Sequence, residues 1–464
     1  MAIFLQKNPN KTIYRQIYDY YRTEILKGNI KEGTKLPSIR QLASELHVSK
    51  NTVNEAFQQL LSEGYIESKQ KKGYWAVKLE GYVQKEEPAA FMQMQKKEEA
   101  PYHIDFQYGD IDLAHFPTKI WKKYLAESVD SFEKEIMLYG EKQGYYPLRK
   151  EIAHYLYESR GIHCHPEQVI IAAGTQTIIK LIVSLFSIRL QVAMEDPGYD
   201  GVRHVFEKEG CKLTPISIDM LKGHCMEDLE NSRCHLAYIT PSHQFPLGGI
   251  MPIQKRLFLL KWAEKQNAFI IEDDYDSEFR YEGAPIPSLK GLDTLERVIY
   301  VGTFSKSFLP AARVSYMVLP KSLLDIYHDS PKESQQASPI MQSALAKFLE
   351  NGDFSRHLRK MRKVYEEKRR ILVESIDQYM GKQVKIIGEK AGLHLLLLIE
   401  GKNPDLLREQ AKANKIKVYE ADDYYWSFSC ETKEKPLLLG FGGLEKGELE
   451  EGIRLLAESW FGNR

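Results

Sequence analysis

Apolar residues recur at two different periods along this chain, and the change of period divides it. In residues 13–28, IYRQIYDYYRTEILKG, Ile13, Ile17, Tyr20, Tyr21 and Ile25 stand near helical spacing, and Gly28 ends the run. Pro37 and Ser38 open a second helix. Ser38 and Gln41 have the spacing of a capping box, with Leu42, Ala43 and Leu46 as the buried stripe. Ser49 is the N-cap of a third predicted helix, in which Val53, Ala56, Phe57, Leu60 and Leu61 make one continuous core face. Its other face carries Lys50, Asn51, Asn54 and Gln58, and Gly64 stops it. YIESKQKKGYWAV then predicts two short strands around a basic turn, a wing.

Residues 79–100 are charged and Gln- and Glu-rich without an apolar period, which predicts a linker. From about Pro101 short apolar runs appear, at 168–174, 191–196, 235–241, 268–274, 297–306 and 314–320, mostly separated by helical stretches. That alternation predicts a largely parallel sheet covered on both faces. Beyond about residue 325 the pattern is helical and then mixed, with a strand at 394–400, which predicts a smaller α+β subdomain. The expected organisation is a mainly helical DNA-binding domain at 10–78, the linker, and an α/β domain at 101–464. The latter divides into a large subdomain (about 101–325) and a small one (about 326–464).

The length of 464 residues suits two or three domains. With 43% hydrophobic and 28% charged residues the chain is an ordinary globular one. Zero formal net charge excludes a general polyanion binder, yet residues 1–80 hold 13 Lys/Arg against 8 Asp/Glu. Five cysteines, odd in number and in no CxxC pair, point to a reducing compartment without a disulfide framework. MAIFLQKNPNKT lacks the features of a signal peptide, and the longest apolar run, Ile178–Leu190, is too short to span a bilayer. A cytoplasmic protein without a membrane partner is expected.

In the first unit a helix, a turn, a second helix with a polar face and a wing form a winged helix-turn-helix. Ser49, Lys50, Asn51, Thr52 and Asn54 put donors and acceptors at the N-terminal end of the reading helix, where base edges are met. Arg40, Lys69, Lys71 and Lys72 suit phosphates. A protein-interaction domain with a solvated polar face is the plainer alternative, but GxxLPSxRxLAxxLxVSxxTVxxAFxxLxxEGY is long and specific. This segment resembles the DNA-binding domain of GntR-type bacterial transcription regulators. The resemblance implies operator contacts from Arg40, Lys50, Asn51, Asn54 and the wing Gly73.

In the second unit Lys306 ends a strand-like run, with Thr303 and Ser305 beside it and Arg313 seven residues on. An amine so placed can form a Schiff base with an aldehyde, while the hydroxyls and the arginine hold a phosphate. A lone Ser-Lys is usually a surface feature; four other segments change that. AAGTQT sets the backbone N–H groups of Gly174, Thr175 and Gln176 at a helix N-terminus, a place for an anion. AFIIEDDYDSEF ends a strand in acids, where Asp273 can keep a pyridine nitrogen protonated and Tyr275 can meet a phenolic ring oxygen. EDPGYDG offers Tyr199 as a stacking ring, and TPSHQFPLGG brings His243 and Gln244 to a strand end. Residues 101–464 resemble a fold-type I, class I aminotransferase domain that binds pyridoxal 5′-phosphate. By that resemblance Lys306 is the aldimine lysine and Asp273 the partner of the pyridine nitrogen. Tyr275 meets the ring oxygen, Tyr199 stacks, and Gly174, Thr175, Gln176, Thr303, Ser305 and Arg313 form the phosphate cup. Tyr139 is similar to the tyrosine that reaches a neighbouring subunit's phosphate.

The whole layout is similar to MocR/GabR-type regulators, which are homodimers. Two arginines that clamp a substrate carboxylate in such proteins are missing: the matching positions are Gly201 and Leu438. The expected function is therefore transcription regulation in response to pyridoxal phosphate or to an amine forming an external aldimine with it. The effector lacks a conventionally placed α-carboxylate, unless Arg203 or another arginine substitutes. A working aminotransferase with a DNA-binding head is the rival, and a cofactor-binding scaffold with a protein-binding head a distant third. His163-Cys164-His165 is taken as a polar loop rather than a metal site, and 363–370 as a solvated helix face.

Overall fold

The computed structural model describes residues 3, 11–70, 72–79, 102–220, 223–281, 287–331, 337–426 and 436–462. Lys71 of the wing and the segment 80–100 lie outside them. The chain divides into two compact units, Met1–Glu98 and Glu99–Arg464.

The first unit contains α1 (Ile13–Leu26), α2 (Ile39–Glu45), α3 (Lys50–Ser62) and a hairpin of β1 (Ile66–Lys69) and β2 (Gly73–Ala76). Its core joins Ile17, Tyr21 and Ile25 to Leu42, Val53, Ala56, Phe57 and Leu60, with Phe57 edge-on to Tyr21 and Tyr74. Two details depart from the periodicity. Ile13 is exposed, and Tyr18 takes a core place because its hydroxyl still reaches the Glu63 carboxylate at 2.5 Å. Only half of the expected capping box forms: the Ser38 hydroxyl accepts from the Gln41 N–H at 3.2 Å, while the Gln41 side chain turns to Glu45, one helical turn on. Ser49 caps α3 by accepting from the Thr52 N–H at 3.1 Å.

The second unit opens with β3 (Ile104–Asp105) and is centred on an eight-stranded sheet. Its strands are β4 (Val169–Ala172), β5 (Gln191–Asp196), β6 (Lys212–Asp219), β7 (Gly223–His224), β8 (Leu236–Ile239), β9 (Phe269–Asp274), β10 (Val298–Thr303) and β11 (Ser315–Val318), in the order β4-β11-β10-β9-β8-β5-β6-β7. β10, β9, β8, β5 and β6 are parallel; β11 and β7 run against their neighbours. Alternate residues enter separate cores, Ile271 with Ile178, Ile182 and Phe206, and Ile270 with Leu259, Trp262 and Ala263, so helices cover both faces. The parallel strands all deliver their C-terminal ends to one edge. There the register sets Ser315 beside both Thr303 and Ala172.

A four-stranded sheet of β12 (Lys385–Ile387), β13 (His394–Leu398), β15 (Tyr419–Glu420) and β16 (Leu437–Gly440) packs with the helices Asp353–Tyr379 and Lys446–Phe461. β3 pairs with β14 (Ile416–Lys417), so the first residues of this unit belong with its C-terminal part. The 363–370 run is not wholly solvated. Lys368 is buried, with its ammonium 2.7 Å from Asp112 and 2.9 Å from the Gly442 carbonyl, because that face of the helix meets the 102–112 segment. No described helix is long and apolar enough to cross a membrane.

Candidate functional site

The edge where the parallel strands end holds a cavity of about 360 Å³. It is lined by Gly174, Thr175 and Gln176 after β4, Tyr199 after β5, Tyr238 and Thr240 on and after β8, and Asp273 and Tyr275 at the end of β9. Thr303, Ser305, Lys306, Pro310 and Arg313 line it from the β10–β11 connection, with Tyr108 and Phe245 opposite. All but two of the residues expected at the cofactor, Tyr139 and His243, therefore meet around one space. Gln244, at the same strand end, is buried with its amide turned to the Pro197 and Phe245 carbonyls.

One pole of the cavity is built for an anion. Gly174 stands at a left-handed φ of 102° before the helix Thr175–Ser184, and a Cβ there would come within 2.5 Å of the Arg313 guanidinium. Arg313 donates to the Ala173 carbonyl at 3.1 Å. The Thr303 hydroxyl lies 3.0 Å from Ser305 and accepts from Ser315 at 2.8 Å. Three hydroxyls, an arginine and the first N–H groups of a helix thus converge.

The opposite pole is a buried carboxyl. Asp273 Oδ2 accepts from the Tyr238 hydroxyl at 2.5 Å, and Oδ1 is buried without a hydrogen-bond partner among the described residues. Burial pushes the Asp273 pKa up to about 7. Lys306 lies between the poles, its ammonium 4.2 Å from the centre of the Tyr108 ring. Burial lowers its pKa to about 8, against the pull of Asp276 and Asp110. Gly109 has to be glycine beside it, since a Cβ would lie 3.1 Å from the lysine nitrogen at a φ of 111°.

His243 stands behind this wall. It is buried, with Nδ1 2.9 Å from Asp276 and 3.0 Å from the Tyr275 hydroxyl, and so positions Tyr275. Tyr139 is 84% exposed and away from the cavity. Leu438 is buried against Leu247 and Leu396, and Gly201 packs under the Tyr199 ring. Arg203 donates to the backbone carbonyls of Asp423 and Tyr424. Among the described residues, then, Lys306 and Arg313 are the cations that line the cavity.

Sequence reasoning missed Tyr108, Tyr238, Thr240, Phe245 and Pro310. The signal for Tyr238 was present, a polar-tipped ring inside an apolar strand that ends in Thr-Pro-Ser. For Tyr108 none was, because it reaches Lys306 across almost two hundred residues.

In the first unit Lys50, Asn51 and Asn54 are exposed at the start of α3, Arg40 is exposed on α2, and Lys72 and Gly73 are exposed at the wing. Ser49 and Thr52 are tied to each other at 2.8 Å in the cap. Lys69 pairs with Glu67 and covers the Trp75 ring.

Residues 103–424 match the family described as aminotransferase class I and II, and residues 13–75 match the gntR family of bacterial regulatory proteins. The chain is 41% identical to an uncharacterized HTH-type transcriptional regulator of Bacillus subtilis, YdeL, over 98% of each chain. It is 31% identical to a probable rhizopine catabolism regulatory protein of Rhizobium meliloti, MocR, over 99% of this chain and 96% of that one. Among solved structures, the α-aminoadipate aminotransferase LysN of Thermus thermophilus, determined with N-(5′-phosphopyridoxyl)-L-leucine, is 25% identical. It superimposes with a TM-score of 0.68 over 77% of this chain and 92% of its own. A gntR-family head on an aminotransferase class I and II body, shared along the full length with such relatives, makes this chain a member of the MocR-type HTH transcriptional regulators.

Proposed function

We propose that the body holds pyridoxal 5′-phosphate at Lys306 and uses it to sense a small amine, or is itself set by the cofactor, and that the head carries the result to operator DNA. The observation that carries this reading is the orphaned Oδ1 of Asp273. A buried carboxyl oxygen without a donor costs stability unless a ligand supplies one. A protonated pyridine nitrogen is such a donor, and its charge favours the ionised carboxylate. The rest of the cavity fits the same group. Arg313, Thr303, Ser305 and the N–H groups of Gly174, Thr175 and Gln176 suit its phosphate, Tyr199 its ring face and Tyr275 its ring oxygen. When bound, the cofactor supplies an electrophilic carbon to which amines add. Lys306, kept partly neutral by burial, is the resident nucleophile, and His243 with Asp276 holds the Tyr275 hydroxyl in place.

The two missing arginines also bear on the effector. Leu438 is buried in an apolar cluster and Gly201 packs under the Tyr199 ring, so neither position offers a carboxylate a cation, and an unpaired buried carboxylate is strongly disfavoured. The effector we infer is pyridoxal phosphate itself, a dipeptide whose carboxylate lies further out, or an amine poor in carboxylates. Two copies make the working unit. Phe132, Leu138 and Tyr139 are exposed at 75%, 65% and 84%, an apolar surface that a second copy would cover. Operator contacts fall to Arg40, Ser49, Lys50, Asn51, Thr52, Asn54, Lys71, Lys72 and Gly73, in the cytoplasm where the chromosome lies.

A footprint on the protein's own upstream region tests this reading, with apo protein, cofactor alone, cofactor plus candidate amines, and Lys306→Ala alongside. A footprint altered by cofactor alone makes the cofactor the signal; one altered only by an amine makes the amine the signal. In both cases Lys306→Ala should lose the response. Absence of any footprint would overturn the regulatory reading in favour of a working aminotransferase.

A further inference from the structure

The strand β9 that supplies Asp273 and Asp274 continues into a segment with two sides. Tyr275 lines the cofactor cavity; Ser277, Glu278 and Arg280 line a second cavity of about 450 Å³, together with Tyr155, Glu158, Ser159 and Arg160 and with Ser355, Leu358, Arg359 and Arg362 of the long helix Asp353–Tyr379. No residue assigned to the cofactor or to DNA lines this second space.

Its chemistry is specific. Arg362 spends its Nε on the Glu278 carbonyl at 2.7 Å, and Arg359 its Nε on the Ser355 carbonyl at 3.3 Å. The remaining N–H groups of both point to no carboxylate among the described residues. Two guanidinium groups one helical turn apart, anchored at Nε with their outer edges open, offer the fork geometry that oxyanions match. Opposite them Glu278 is half satisfied. Oε1 accepts from the Tyr155 hydroxyl at 2.7 Å, and Oε2 is buried without a partner among the described residues. Arg160 pairs with Asp274 at 2.7 Å and donates to Ser242, and its charge also favours the Glu278 carboxylate, but Oε2 still has no hydrogen-bond donor among the described residues. A simple anion would satisfy the arginines and leave Glu278 Oε2 without a donor. A ligand that carries both negative charge and a hydrogen-bond donor satisfies both sides.

We propose that this cavity is a second ligand site, taking a compact oxyanion that also carries an O–H or N–H donor, with Arg359 and Arg362 on the charge and Glu278 on the donor. The class includes hydrogenphosphate and small hydroxy-carboxylates. Because Tyr275 and Glu278 lie on one short segment, a molecule bound here bears on the wall of the cofactor cavity from behind.

The test is calorimetric titration of full-length protein first loaded with pyridoxal phosphate, so that the anion pole at Arg313 is already filled; loading is read separately from the visible absorbance. At about pH 8, where Glu278, pushed up to about 7 by burial, is mostly ionised and hydrogenphosphate keeps its proton, the probes are hydrogenphosphate against sulfate and glycolate against acetate. The pairs match in charge class and differ in the donor. The arm that binds tighter tells which source the site prefers. Each donor-bearing probe should outbind its partner by about tenfold or more. Arg359→Gln with Arg362→Gln, both exposed side chains, should abolish binding while the absorbance of the loaded cofactor stays unchanged. Glu278→Gln, which can donate as well as accept, should erase the discrimination within each pair. The proposal fails if loaded protein binds none of the probes, if the double arginine variant binds as the parent does, or if donor-bearing and donor-free partners bind alike.

Discussion

At the scale of residues, the cofactor cavity sets two ionisable groups against their ordinary behaviour in opposite directions. Burial raises Asp273 to about 7 and lowers Lys306 to about 8. A lysine with a folded-state value of about 8 in place of 10.5 binds fewer protons in the fold than in the unfolded chain between those two pH values. The lysine therefore penalises the apo fold at neutral pH, and the penalty is relieved as pH rises through that window. Lys306→Met should make apo protein more stable at about pH 7, by on the order of 2 kcal/mol, with the advantage shrinking toward about pH 10. Urea denaturation of both proteins across that range checks it, and a difference independent of pH would show that packing is the cause. Lys306, Asp273, Tyr275, Thr303, Ser305 and Arg313 were legible in the sequence because each sits where an apolar run breaks into polar residues, the strand end at which α/β sheets gather ligands. Phe245 and Tyr108 were not. An aromatic in a loop or an early segment has the same local pattern whether or not the chain later folds a lysine beneath it.

At the scale of elements, periodicity found α1, α2 and α3 and the central strands of the large sheet, since a buried parallel strand is a short apolar run and an amphipathic helix repeats its stripe. It could not show that β11 runs against its neighbours, because direction leaves no mark on a strand buried on both faces. It also missed the two-residue pairing of β3 with β14, which is tertiary contact without local signal. Leu438 tests what one strand contributes. It lies on β16 in register with Leu396 on β13 and Tyr419 on β15, in a cluster closed by Leu247. Leu438→Arg buries a guanidinium with no carboxylate beside it among the described residues and should lower stability by about 3–5 kcal/mol, read as a fall in the denaturation midpoint. An unchanged midpoint would mean that the arginine finds an anion, and the case against an α-carboxylate at this position would fall with it.

At the scale of the whole molecule, charge is arranged by unit rather than in bulk. The first 80 residues carry 13 Lys/Arg against 8 Asp/Glu in a chain whose formal net charge is zero, so the remainder carries the compensating acids. Binding to DNA by such a chain rests on contacts from the head, and two exposed residues there separate the physical contributions. Arg40, exposed on α2, is the proposed contact to the phosphate backbone, which is the same for every sequence. Arg40→Ala should weaken binding to the upstream region and to scrambled duplex alike, and reduce the slope of log affinity against log salt by about one, measured between about 50 and 200 mM salt. Asn51, in the first turn of α3, has an amide suited to a base edge and no charge to release counterions. Asn51→Ala should cost about 1–3 kcal/mol on the upstream region, leave scrambled duplex untouched and keep the parent's salt slope. Fluorescence anisotropy with the parent and both variants on the two duplexes, six combinations at two salt concentrations, resolves both effects. If the two variants lose affinity equally on both duplexes, α3 is not the reading helix, and the exposed polar row at its start has to be explained by some other partner.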